Sequence, residues 1–406
     1  MVVLTRPWLY WAIAAAFWLR VLILTLLTAR RPDAEGMWQG AHAYLTEPSH
    51  MYDAAADYLS RLHIIAPPGG LDAFVSPPPV AALAVPVGLL PKDVAVQVWT
   101  VVDGAALVIA LVLLYRVIAT RHALARPLFW LAAGYFPPVF ADLSAGQRGG
   151  VLLVFAMASI WLEAKRPALA GAVGGLAAAL KYYPAAMILG PRPEHRVRYA
   201  VVLGVVLVVV TVASFVPLGW SGSLFYYQHV LIPSLASHNP DCAYDSVRTL
   251  FMRTIGGEPF AVGTSGPGYD IVASPIRLPA VALALSYASA LAFAGGAAWA
   301  AWRSGWNPAY GMSLGFGLGA LIPNEVWPYQ WLPLLPLVLL LVVRGLERRR
   351  WITLGLLGVC LLGFYRQPCE LIFPNLWTLA AIGVFVLGLW ENRIFRGEPG
   401  AEMGGR

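Results

Sequence analysis

Apolar and polar positions along this chain fall into long blocks. Long apolar runs cover residues 8–29, 94–115, 199–218 and 278–302, each close to the roughly 20 residues that a helix needs to cross a hydrocarbon core. A helix buried in a soluble domain rarely stays apolar for so long. With the shorter stretches between them the pattern predicts about 12 crossings, an all-α polytopic membrane protein forming one integral membrane domain over residues 1–406. Two longer segments, residues 30–90 and 219–277, interrupt the blocks. In the first, residues 35–45 and 52–62 mix apolar and polar positions at helical spacing and read as interfacial helices. Pro77-Pro78-Pro79 then opens an apolar stretch, ending at Leu89-Leu90-Pro91, that lies along the membrane or dips into it. Residues 167–190 are divided by Lys181-Tyr182-Tyr183-Pro184. As two short helices they start and finish on one side, a break tolerated at membrane depth only where it lines a cavity.

Composition agrees: 59% of residues are hydrophobic, 12% are charged and the mean hydropathy is +0.67, which excludes an ordinary soluble domain. The 16 tryptophans and 17 tyrosines suit the two interfacial belts. A net charge of +7 raises nucleic acid as a partner, but the basic residues sit in short clusters without interleaved aromatics, so none is expected. They act instead as topology signals. Arg6, the group Arg116, Arg121 and Arg126, the pair Lys165 and Arg166, and the groups 192–198, 344–350 and 393–406 all fall on one side if the amino terminus is cytoplasmic. Asp33, Glu35, Asp53, Asp142, Asp245 and Glu325 then fall outside. Both termini are expected in the cytoplasm, and acid chemistry on the extracytoplasmic face. Alanine- and arginine-rich usage fits a GC-rich bacterium, making the membrane the bacterial plasma membrane.

No signal-peptide cleavage site precedes the first span, which is followed by Arg30-Arg31 and reads as a retained helix. Cys242 and Cys369 both fall in outer segments where a disulfide is permitted. The seven histidines form no two-His helical pair, and no metal and no cofactor is expected. Asp103 lies inside the second span, where a charge is expensive and marks a functional or a structural hydrogen-bonding site.

Asp33, just after the first span, sits where a membrane-embedded donor would meet a polar acceptor. A carboxylate there suits deprotonation of an attacking hydroxyl; a solvated loop acid beside Arg30 and Arg31 suits the position equally. Further motifs bear on that choice. Asp33-Ala-Glu-Gly-Met-Trp38 leads to Met51-Tyr52-Asp53, and Phe74-Val-Ser-Pro-Pro78 runs on to Pro86 and Leu89-Leu90-Pro91. Gly146-Gln147 opens a membrane helix, Lys181 and Pro184 follow a small-residue stretch, and Asp245-Ser246 with Arg248 and then Trp327-Pro-Tyr-Gln-Trp331 come later. In order and spacing the set resembles the polyprenyl-phosphate-mannose-dependent mannosyltransferases of glycosyltransferase family 87.

The resemblance implies a multi-helix architecture with an outer-loop acid over a membrane cavity. It implies a polyprenyl-phosphate-sugar donor, a glycolipid or glycan acceptor, contact with membrane lipids, and transfer that inverts the anomeric centre. Asp33 becomes the base, Gln147 and Arg148 cavity residues, and Lys181 or Arg248 the partner of donor phosphate; Glu325, Tyr329, Gln330 and Asp245 are candidates for the acceptor or sugar. The chain departs from the family pattern at Ser76, at Arg148-Gly149, at Tyr244-Asp245, and most at Tyr329-Gln330, which stand in place of histidines. Glutamine there can hydrogen-bond but brings no positive charge, so the sugar can differ from mannose. A transporter would show an internal repeat, and none is visible; a flippase or non-catalytic assembly partner of a cell-envelope pathway would keep the fold without the chemistry.

Overall fold

The computed structural model describes residues 7–28, 31–61, 73–118, 120, 122–236, 245–262, 270–322, 326–365 and 375–395. The opening span is α1 (Pro7–Leu27), and the first of the two longer segments holds α2 (Pro32–Thr46), α3 (Asp53–Arg61) and α4 (Pro78–Gly88). Then come α5 (Lys92–Ile118), α6 (Ala125–Tyr135), α7 (Pro137–Ala145), α8 (Gly149–Glu163), α9 (Pro167–Leu180) and α10 (Pro193–Phe215). The second longer segment holds α11 (Gly219–Phe225), α12 (Ile232–Ala236) and α13 (Val247–Phe251), with a small antiparallel ribbon of β1 (Phe260–Val262) and β2 (Asp270–Val272). The bundle closes with α14 (Pro279–Arg303), α15 (Pro308–Leu321), α16 (Leu335–Glu347), α17 (Trp351–Gly363) and α18 (Leu376–Trp390). The chain is an all-α polytopic membrane protein. Among the described residues, six helical segments are long and apolar enough to cross a membrane, and four apolar helices are shorter.

Proline sets many of these boundaries. It occupies the first turn of α2, α4, α7, α9, α10, α14 and α15, where its missing N–H costs nothing and its fixed φ suits a helix start. Between α6 and α7, Pro137-Pro138 breaks the ladder and leaves Phe136 extended at φ −72°, ψ 106°. Helical residues run from Pro193 past the expected end at Leu218 to Ser234, turning at Gly219 with φ +66°.

The core lies around α15 and α16. Every residue of α15 from Tyr310 to Leu321 is buried, and 78% of the α16 span is buried, against 17% for the spans of α1, α10 and α14. Those three therefore form the rim, and their outward valines and leucines, such as Leu19, Leu22, Val205, Val209 and Leu291, suit lipid.

Charged groups gather at the two ends of the bundle. At one end, Thr120 Oγ1 donates to Glu347 Oε1 at 2.6 Å and Arg344 donates to the Ile118 carbonyl at 3.0 Å. Buried Glu163 accepts from the Arg192 N–H at 3.0 Å and lies 2.9 Å from His195 Nδ1. The Arg196 guanidinium stacks 3.8 Å from the Trp306 ring centroid. Glu163 precedes α9 and Arg192 follows the 3₁₀ segment Tyr183–Leu189, so their contact shows that residues 167–190 return to the end from which they set out.

Glycines on α15 seat that return segment. Gly311, Gly315 and Gly319 recur every fourth residue on one face; a Cβ at Gly315 would lie 2.2 Å from the Ala186 carbonyl oxygen, and one at Gly319 would lie 2.1 Å from the Tyr183 ring. Close packing of this kind needs small residues. Gly315→Ala is expected to cost about 1–3 kcal/mol through overpacking, and to lower activity by shifting Tyr183 and Lys181. Thermal unfolding in detergent alongside a transfer assay checks this; unchanged stability would show that the segment gives way freely.

Candidate active site

Asp33 stands in the first turn of α2, where the helix dipole favours an anion. The amino end of that helix is anchored on both sides. Arg31 donates to Thr100 Oγ1 at 3.0 Å and to the Thr25 carbonyl at 2.8 Å, and Glu35 pairs with Lys92 at 2.7 Å. Behind α2, α4 packs closely enough that a Cβ on Gly88 would lie 2.8 Å from the Ala41 backbone. Buried Tyr52 donates to the Ser76 carbonyl at 2.7 Å and packs on Phe74 and Tyr226, at 5.9 and 4.7 Å between centroids. The Met51-Tyr52-Asp53 and Ser76-Pro77-Pro78 motifs thus meet in one clamp.

Gly146 brings Asp33 to its partner. It ends α7 in the left-handed region at φ +70°, with its N–H donating to the Asp142 carbonyl, and a Cβ there would lie 2.5 Å from the Cβ of Ala34. Glycine satisfies both constraints. The next residue, Gln147, accepts from Trp99 Nε1 at 2.8 Å through its carbonyl, and its side chain lies beside Asp33. Burial pushes the Asp33 carboxyl above the ordinary aspartate range, while the Gln147 side chain and the cations of Arg148 and Lys181 pull the other way.

Beside this carboxyl lies a small cavity with an open mouth. Asp142, Gln147, Arg148, Lys181, Tyr183, Tyr329 and Gln330 supply its polar lining, and Leu152, Phe316, Leu332 and Pro333 part of its apolar wall. Arg148 is 9% exposed, and its Nε has no hydrogen-bond partner. Lys181 caps α9, with its Nζ 5.5 Å from the Tyr183 ring centroid. The Tyr329 ring stacks on Trp327, 6.1 Å apart and 8° from parallel, and Gln330 Oε1 accepts from the Trp327 N–H at 3.2 Å. An acid, two cations and a flat aromatic wall thus surround one opening between helix ends, an arrangement suited to an anionic group on one side and a sugar ring on the other.

The family model for glycosyltransferase family 87 matches residues 74–323. The chain belongs to glycosyltransferase family 87. It is a glycosyltransferase of the membrane, as its apolar helices also require. No curated protein matches the chain, and no solved structure does.

The segment matched to family 87 contains Gln147, Arg148, Lys181, Asp245 and Arg248 and leaves out Asp33, Tyr329 and Gln330, so Asp33 joins the set through the fold. Of the residues singled out in the sequence, Gln147, Arg148, Lys181, Tyr329 and Gln330 line the cavity, and Asp33 touches it through Gln147. Arg248 lies half-buried on α13 and is not part of the lining. Asp245 is not part of it either. Its carboxylate pairs with buried Arg253 at 3.1 Å, Arg253 also donates to Asn375 Oδ1 at 3.3 Å, and the Asp245 N–H donates to the Val326 carbonyl at 3.0 Å. This network ties the residues around α13 to those before the Trp327 motif and to the start of α18. Glu325, Cys242 and Cys369 lie outside the described residues.

The sequence reading missed Tyr183, Phe316 and Arg253, and it placed Asp142 only among the outer carboxylates. Asp142 carried a legible signal, one helical turn before Gly146-Gln147; Arg253 carried none. Replacing Arg253 with Ala strands a buried carboxylate and is expected to cost about 3–5 kcal/mol. A thermal melt of the full chain checks it, and a loss under 1 kcal/mol would show that water relieves Asp245.

Proposed function

We propose that this protein moves a sugar from a polyprenyl-phosphate donor to a glycolipid or glycan acceptor on the extracytoplasmic face of the bacterial plasma membrane, with both termini in the cytoplasm. The observation that carries this reading is the meeting of Asp33, Gln147, Arg148 and Lys181 beside one cavity, at the end of the bundle opposite the Arg344, Arg192 and Arg196 contacts. Arginine-rich connections on the far end favour the cytoplasm there. Asp33 accepts the proton of the acceptor hydroxyl as its oxygen bonds to the anomeric carbon. The bond from that carbon to the phosphate oxygen breaks, its electron pair leaves with the lipid phosphate, and the configuration inverts. Arg148 and Lys181 stabilise the departing charge. A donor with a single phosphate carries less charge than a nucleotide sugar, and two side-chain cations suffice to offset it.

Tyr329, stacked on Trp327, and Gln330 form the wall against which a sugar ring rests, and mannose is the sugar that the family resemblance favours. The test is transfer of radiolabel from synthetic polyprenyl-phosphate-mannose to extracted cell-envelope lipids by the purified chain. Labelled glycolipid is expected. Label from polyprenyl-phosphate-glucose or -arabinose alone would overturn mannose and keep the donor class; transfer only from a nucleotide sugar would overturn the class.

A further inference from the structure

Asp142 and Asp103 reach the amino end of α8 from two different helices. Asp142 Oδ1 accepts from the Gly149 N–H at 3.1 Å, and Asp103 Oδ1 accepts from the Val151 N–H at 2.9 Å. The two carboxyls are neighbours on that turn, each is 1% exposed, and neither Oδ2 has a hydrogen-bond partner. Two buried carboxylates that grip N–H groups two residues apart cannot both keep a full charge, so the pair holds one proton between them. The fit leaves no slack: a Cβ at Gly149 would lie 2.3 Å from Asp142 Oδ1, and one at Gly150 would lie 2.2 Å from the Asp103 carbonyl.

The pair therefore carries a single negative charge, and only Asp142 faces the cavity. The charged groups around that cavity are Arg148 and Lys181, with Asp33 beside them. Arg148 immediately precedes the first residue of α8 and lines the cavity, so the grip on that turn holds the backbone from which its guanidinium reaches out.

The geometry points to Asp142, proton-sharing with Asp103, as a positioning residue that aims Arg148 at the leaving phosphate and offsets the cationic field enough for the lipid-phosphate product to leave. This rests on the proposed phosphate-linked donor. Transfer frees a phosphate monoester, which bears more negative charge than the diester consumed, so two uncompensated cations would retain product. A shared-proton pair keeps its counter-charge at the wall while avoiding two charges in a buried site.

Asp142→Asn preserves the shape, the acceptor for Gly149 and the contact with Asp103, but moves the charge away from the cavity. Asp103→Asn leaves the charge on Asp142. The probe is synthetic decaprenyl phosphate, with binding measured on the purified full chain in detergent at neutral pH. Asp142→Asn is expected to bind it roughly five- to tenfold more tightly than wild type, and Asp103→Asn no more tightly than wild type. Misfolding weakens binding, so a gain separates this role from a merely structural one. The infrared band of a protonated carboxyl, expected in the wild type and lost in either variant, tests the shared proton even if one variant fails to fold. Wild-type binding with no gain in a folded Asp142→Asn protein, or a band unchanged by both substitutions, overturns this inference alone. A wild-type chain that does not bind decaprenyl phosphate overturns the donor reading beneath it.

Discussion

Asp33→Asn is expected to lower sugar transfer by about 10²–10⁴-fold, the usual contribution of a positioned base, while leaving the fold at least as stable as wild type. The sign of the second effect follows from burial. Asp33 is pushed above its unfolded value, so the folded state holds its proton more tightly than the unfolded chain does. That costs nothing below the unfolded pKa, grows as pH rises between the two values, and is felt in full above the folded one. Asparagine keeps a partner for Gln147 and removes the cost. The same direction sets the acid limb of the rate profile: activity falls as Asp33 takes up its proton, at a pH above the roughly 3.9 of an unperturbed aspartate. Rates with a polyprenyl-phosphate-sugar donor across pH, and thermal melts of both proteins, provide the check. Activity within tenfold of wild type would place the base elsewhere; a marked loss of melting temperature would make Asp33 a structural residue.

Arg148→Gln is expected to reduce kcat/KM by about 10²–10³-fold, on the scale of removing one preorganised donor from a developing negative charge. Arg148 is buried with an unpartnered Nε, so its charge is held for something outside the protein's own hydrogen bonds, and a phosphate would take it up. Lysine in its place would restore charge without the planar fork and is expected to recover only part of the rate. Lys181→Met is expected to act in the same direction, and the double variant to lose less than the sum because both serve one group. Single-turnover rates with saturating donor separate the chemical step from binding. Wild-type rates in Arg148→Gln would show that the phosphate is held elsewhere, with Arg248 on α13 the next cation to examine.

The interpretation of this chain as a membrane enzyme depended on features that are local in sequence, while its site depended on contacts that are not. Apolar blocks near the length of a bilayer crossing can satisfy their backbone groups in lipid only as helices, which is why the spans over residues 8–29, 94–115 and 278–302 are legible in the sequence. Prolines at helix starts, and the break at Lys181-Tyr182-Tyr183-Pro184, were legible for a similar reason, because their steric demands act within one or two turns. The tertiary structure alone decided which charges meet. Arg248 had the same sequence credentials as Arg148, and Asp245 had stronger ones than Asp142, yet the cavity took Arg148 and Asp142. Gly146 lets α2 press on the end of α7, the Gly311-Gly315-Gly319 face lets the returning segment lie on α15, and Arg253 draws Asp245 into a buried network with Asn375. Hydropathy and steric preference are properties of a short stretch of chain. The pairing of charges more than a hundred residues apart is a property of packed surfaces.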